Sequence, residues 1–251
     1  MIKWLPMLLL ASAAPGWADT IAVYEAPQLA MRMTIEIADN GDFRGETATG
    51  SYMLSRGGAA YIITPSADGP IVERADDVAA VMADLSSATM TPEIRESLAS
   101  RPPVEFVAKG EKTIQGRKGV AWYLKSPEGK LSEKPIVVIS HDPALAPLGA
   151  AMARQFDMSV GGVSGMMGGA PSFAVAMQKL LATGTPLLFA GAELQSVREA
   201  PVPPEHFALP AEPQSREAIR LRLAAQAPIR TAPETPTAPE PTPAPAAPDS
   251  Q

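Results

Sequence analysis

Residues 29–37, LAMRMTIEI, alternate without a break: Leu29, Met31, Met33, Ile35 and Ile37 are apolar, with Ala30, Arg32, Thr34 and Glu36 between them. A period of two sends one set of side chains to each face of a strand, so the pattern predicts a strand with one face in a core and one in water. ADNGD (38–42) follows, and Asn40-Gly41 is a strong hairpin signal. A second strand is predicted through about residues 46–54, carrying Tyr52 and Leu54. SRGG (55–58) turns it into a third, AAYIIT (59–64), and PSADGP (65–70) leads to a short strand, IVER. The first part of the chain therefore reads as an antiparallel meander.

The period then changes. In residues 75–85, Val78, Val81, Met82 and Leu85 fall at i, i+3, i+4 and i+7, one face of a helix. Asp76 and Asp77 lie in its first turn, where the helix dipole favours anions. A short helix is predicted over 92–98, with Thr91 as cap and Pro92 at its first position. Strands resume at Val104, Phe106 and Ala108. After KGEKTIQGRKG, residues 119–127 put Val120, Trp122 and Leu124 on one face, and residues 135–140 (PIVVIS) return. Residues 143–157 and 171–183 read as helices around a glycine-rich connection, 185–197 as a strand or two, and 215–227 as a last, weakly amphipathic helix. The fold class expected is α+β.

Composition changes this picture at both ends of the 251 residues. Residues 1–18 hold Lys3, an apolar run from Leu5 to Ala14, and small residues at Gly16 and Ala18, the layout of a cleavable signal peptide. The run is too short for a membrane span of about 20 residues. Residues 228–251 are mostly Pro, Ala, Thr and Glu, a composition that cannot bury enough apolar surface to offset its ordering entropy. The expected plan is a signal peptide (1–18), an α+β domain (19–212), a C-terminal helix (213–227) and a disordered Pro/Ala-rich tail (228–251). Such a chain is expected in the periplasm and not spanning a membrane once the leader is removed. The formal charge of −6, or −7 once Lys3 leaves with the leader, and the absence of basic runs argue against nucleic acid. The absence of cysteine excludes a lipidated N-terminal Cys, thiolate metal sites and thiol catalysis.

Two segments carry a resemblance. Gly110, Ile114 and Gly116 fit a G-x-x-x-I-x-G strand and turn ahead of an aromatic strand. Gly184, Pro186, Leu194, Ser196, Val197, Pro203, Phe207 and Pro210 fit a second pattern. Over about residues 22–212 the chain resembles the bacterial secreted proteins grouped as DUF4412, themselves similar to the periplasmic lipoprotein-carrier fold. That resemblance implies a strongly curved antiparallel sheet, a half-barrel wrapped around helices. It implies no activity. Many relatives carry a cysteine in the strand after the I-x-G turn; here that strand is GVAWYL.

The search for chemistry starts at residues 159–173, SVGGVSGMMGGAPSF. The stretch lacks G-x-G-x-x-G spacing, the Gly-Lys-Ser/Thr of a phosphate loop, and the last glycine of G-x-S-x-G. Met158, Met166 and Met167 could offer thioethers to a soft ion such as Cu(I), but methionine also fills cores, and no His or Cys stands nearby. His141, beside Asp142, would be a base only if a nucleophile converged on it, and a turn position explains it. His206 is expected to be exposed beside a core-plugging Phe207. Asp39, Asn40 and Asp42 lack the twelve-residue spacing of a calcium loop. No cofactor and no catalytic residue is expected.

What remains is shape. Met31, Met33, Met53, Ile62, Val120, Trp122 and Leu124 are the expected lining of a concave apolar face. The leading expectation is an exported, non-catalytic envelope protein that binds an apolar ligand, a lipidated protein or an envelope partner on that face. A closed-core interaction protein using its Pro-rich tail to reach an envelope partner is the alternative, and a methionine-based copper binder the third.

Overall fold

The computed structural model describes residues 19–89, 91–100, 102–166, 171–189 and 191–226. The predicted leader (1–18) and tail (228–251) lie outside them. Eleven antiparallel strands form one sheet that is not closed. In chain order they are β1 (Thr20–Ala26), β2 (Met31–Ile37), β3 (Phe43–Thr47), β4 (Tyr52–Arg56), β5 (Ala59–Thr64), β6 (Ile71–Arg74), β7 (Glu105–Ile114), β8 (Arg117–Lys125), β9 (Val137–Ser140), β10 (Thr185–Phe189) and β11 (Ala192–Glu199). Their order across the sheet is β6-β5-β4-β3-β2-β1-β11-β10-β9-β8-β7. Two meanders, β1–β6 and β7–β11, thus meet where β1 pairs with β11. The helices are α1 (Ala75–Thr89), α2 (Pro92–Ala99), α3 (Ala146–Met166), α4 (Pro171–Leu181) and α5 (Arg216–Gln226), so the chain is broadly α+β.

Register assigns the faces. Ile35, Gly45, Met53 and Ile62 stand opposite one another across β2–β5, and directly opposed residues share a face. That inner face looks toward α3, whose Leu148, Ala151 and Met152 join Ala22, Tyr24, Ile35 and Phe43 in the largest core cluster. Leu54, Ile63 and Val72 point the other way, yet are almost fully buried. The segment after β11 covers them with Val202, Phe207 and Leu209. Its backbone is fixed at both ends. Val202 N–H donates to the Asp19 carboxylate at 2.7 Å, and Gln214 N–H donates to the Val72 carbonyl at 2.8 Å. Beyond it, α5 docks through arginines. Arg222 reaches both carboxylate oxygens of buried Glu73 at 2.6 and 2.7 Å, and Arg216 and Arg220 meet Asp77 and Asp84 of α1 at 2.9 and 2.8 Å.

Several expectations are corrected. Leu29 does not open a strand: it is 62% exposed, in a 3-10 turn at Pro27–Leu29. Pro27 and left-handed Ala30 (φ 48°) reverse the chain there, and alternation starts only at Met31. The reversal pairs β2 with β1, a strand the pattern conceals. Its buried set, Ala22, Tyr24 and Ala26, includes two small residues, while Ile21 and Val23 on the other face are as apolar as a core set. KGEKTIQGRKG holds the end of β7, a turn and the start of β8. β7 absorbs Gly110 (φ 73°) at a bulge between Ala108 and Glu111, and turns only at Gln115-Gly116. The connection after residue 157 is helical as far as Met166, because α3 continues through Gly161, Gly162 and Gly165. A helix already four turns long has met its nucleation cost, so a few glycines need not end it.

Candidate functional site

The predicted lining residues part company. Met33, Met53 and Ile62 do come together. With Ile35, Phe43, Met152, Phe156 and Phe189 they line a cavity of about 320 Å³ between β2–β5 and α3. Its walls are almost wholly apolar, with Thr47, Ser51 and Gln155 among the polar residues of the lining; the Gln155 Nε2 lies 3.5 Å from the Met53 sulfur. Phe156 and Phe189 meet edge to face, centroids 6.2 Å apart, a favourable arrangement that stiffens one wall. Beside the cavity, the Tyr24 hydroxyl donates to the Pro186 carbonyl at 2.7 Å and lies 3.2 Å from the Met152 sulfur, joining β1, β10 and α3. Burial pushes the Tyr24 phenol well above its ordinary range.

Met31 is half-buried against the main cluster, opposite Ala26, and does not line the cavity. Val120, Trp122 and Leu124 share a face as predicted, but α4 occupies the space beside them. Trp122 packs in a cluster with Met177, Leu180 and Leu181 of α4. Val120 stands opposite Ile139, and Leu124 opposite Phe106, whose ring lies 5.7 Å from Phe173. The Trp122 indole N–H is buried there without a hydrogen-bond partner among the described residues. Strand alternation missed the contributions of Met152, Phe156 and Phe189. The first two sit four apart on α3, a spacing that marks one helix face.

The metal alternative gains no cluster. Met158 accepts a long contact, 4.0 Å, from the Ser55 hydroxyl; Met167 and the side chain of Met166 lie outside the described residues. Among the described residues no group of three His, Asp or Glu is placed to hold an ion. His141 lines a polar cleft of about 360 Å³ with Ser140, Asp142, Glu111, Arg117 and Lys118. The Ser140 hydroxyl accepts from the Asp142 N–H at 3.3 Å, while no described hydrogen bond joins the His141 ring to a serine or a carboxylate. The His206 side chain is 42% exposed, and it is also held: its Nδ1 lies 2.9 Å from Glu36 Oε2, and Arg44 donates to its carbonyl at 3.2 Å. It anchors the segment covering the outer face, and its neighbour Phe207 is buried, as expected.

A third concavity, of about 1010 Å³, lies where the β2–β3 turn, the start of α3 and the end of β11 meet. It was not anticipated, because its charged residues are far apart in sequence. Compared with known proteins, the chain matches no family model, and no curated protein or solved structure is significantly similar to it.

Proposed function

We propose that the chain is an exported, non-catalytic carrier of an apolar ligand, which it holds in the cavity between α3 and β2–β5. The observation that carries this reading is the cavity itself. Ligand pockets of roughly 300–1,000 Å³ with apolar walls and few polar groups suit small hydrophobic molecules, and this one has about 320 Å³ lined by Met33, Met53 and Ile62. Methionine walls adapt to ligands of differing shape.

The half-barrel implied by the DUF4412 resemblance is part of the proposal. Its support is a distance argument. Ile62 of β5 and Phe189 of β10 line one cavity, although six ladder steps separate their strands in the sheet order. At about 4.8 Å per step, a flat sheet would hold them nearly 30 Å apart. Periplasmic location rests on the composition of residues 1–18.

The test is uptake of a fluorescent fatty-acid probe by the purified chain, with native mass spectrometry of the same material. Saturable uptake lost in Met53→Trp and Ile62→Trp, both folded by circular dichroism, is the expected result. A bare polypeptide that takes up no probe would sink the carrier reading. A second reading, a closed-core interaction protein, draws on the half of the sheet that α4 fills. Capture of an envelope partner that is lost on deleting residues 228–251, with no probe uptake by the full chain, would favour it.

A further inference from the structure

We propose that the large groove bounded by the β2–β3 turn, the start of α3 and the end of β11 binds an oxyanion ligand, carrying phosphate or carboxylate groups, through Arg117, Arg154 and Arg198. Guanidinium groups stay charged at any working pH and match the planar geometry of such anions. Outside the groove six described arginines are paired, and Arg56, at the end of β4, meets no carboxylate among the described residues. Arg32, Arg44, Arg74, Arg216, Arg220 and Arg222 each meet a carboxylate at 3.7 Å or less. Arg117, Arg154 and Arg198 meet none within 4.0 Å among the described residues, and all three line this one groove. They arrive from three separate elements, β8, α3 and β11. Arg117 is half-buried; Arg154 and Arg198 are exposed. A side chain added at Gly41 would meet the Arg154 guanidinium at 3.5 Å, so the Asn40-Gly41 turn forms the wall beside it.

The groove also holds Asp39, Asp142 and Glu199. Asp142 is engaged, accepting from the Ala144 N–H at 3.0 Å. None of the three neutralises an arginine by direct pairing, so the guanidiniums remain open to a ligand while nearby negative charge weakens their pull. Binding is therefore expected to be moderate and to fall with salt, since the Debye length is about 8 Å at physiological ionic strength. Apolar residues Ile37, Leu148 and Val197 contribute the floor and allow an attached hydrocarbon portion. This site is separate from the apolar cavity and does not depend on its occupancy.

The experiment is a calorimetric titration of the full chain with pyrophosphate at low ionic strength. Saturable single-site binding is expected, weakened at least tenfold in the Arg117→Gln/Arg198→Gln double variant and in Arg154→Gln. Glu199→Gln should tighten it severalfold. Arg56→Gln is the control: Arg56 is exposed, meets no carboxylate among the described residues and lies outside the groove. No saturable heat into the millimolar range, or equal weakening by Arg56→Gln, overturns the proposal. Sedimentation with phosphatidylglycerol and phosphatidylcholine vesicles separates two sources of the anion. Pelleting with the former alone, reversed by pyrophosphate, identifies a lipid headgroup, and pyrophosphate binding without pelleting identifies a soluble anion. Both outcomes support the site.

Discussion

Two halves of one sheet surface have the same strand pattern and opposite fates. In β2–β5, Met33, Met53 and Ile62 face a cavity. In β8 and β9, Trp122, Val137 and Ile139 face Met177, Leu180 and Leu181 of α4. Both rows alternate with a period of two, and both are apolar. The difference is the partner: α4 seats its Met177/Leu180/Leu181 ridge on one half, and α3 leaves space over the other. A strand's pattern therefore tells which face is turned inward, while emptiness is a property of the layer above it. Mutations that remove or add atoms should affect the two halves unequally.

The largest contrast is expected from truncation. Met177 is 2% exposed in the packed half, so Met177→Ala should leave a cavity and cost about 2–5 kcal/mol. Met53, half-buried on the wall of an existing cavity, has fewer neighbours to lose. Met53→Ala should cost under about 1 kcal/mol while enlarging the space. Urea unfolding of the two variants measures this, and similar losses would mean that the two halves are equally packed.

Addition reverses the experiment. Gly119 points to the face opposite Val120, where a Cβ would stand 2.7 Å from the Ile139 carbonyl oxygen and 2.8 Å from Val138 Cγ1, backbone and buried side chain that have little room to yield. Gly119→Ala should cost about 1–3 kcal/mol as overpacking. At Gly45, beside the cavity, the nearest atoms are the Phe43 ring at 3.1 and 3.2 Å, and the ring can swing into open volume. Gly45→Ala should cost about 0.5 kcal/mol or less, and could gain from reduced freedom of the unfolded chain. A thermal shift of equal size in both variants would show that the Phe43 ring does not yield.

The contrast also marks how far the chain could be read from its residues. The alternation of Met31–Ile37 and of Val120–Leu124 identified inward faces, and the helical spacing of Val78, Val81 and Met82 located α1. β1 escaped notice because its inward residues are mostly alanine. Leu54, Ile63 and Val72 carry no mark telling that their face is covered by Val202 and Phe207, about 150 residues downstream for Leu54. The charged groove was illegible for the same reason: Arg117, Arg154 and Arg198 lie on separate elements, and nothing local distinguishes an arginine without a carboxylate from one that has found its partner. Local period is readable because it depends on neighbours in sequence; coverage and pairing depend on neighbours in space.

The last contrast lies at the seam between the halves, where β1 pairs with β11. Tyr24 is 1% exposed, and its hydroxyl donates to the Pro186 carbonyl beside the Met152 sulfur. Tyr24→Phe keeps the ring and leaves the carbonyl without that donor, a loss of about 1 kcal/mol at neutral pH. Burial raises the phenol's pKa above the unfolded value of about 10. The folded state thus holds its proton where the unfolded state has lost it, and stability falls as pH rises through 10 toward the higher folded value. The slope is at most about 1.4 kcal/mol per pH unit. Below about pH 9 the group adds no pH dependence. Tyr24→Phe removes this one contribution, so its deficit relative to the parent should shrink between pH 9 and 11 and change sign where the ionisation loss exceeds the bond. Parallel urea midpoints for the two chains across that range would show that the seam tyrosine is solvated in the native state.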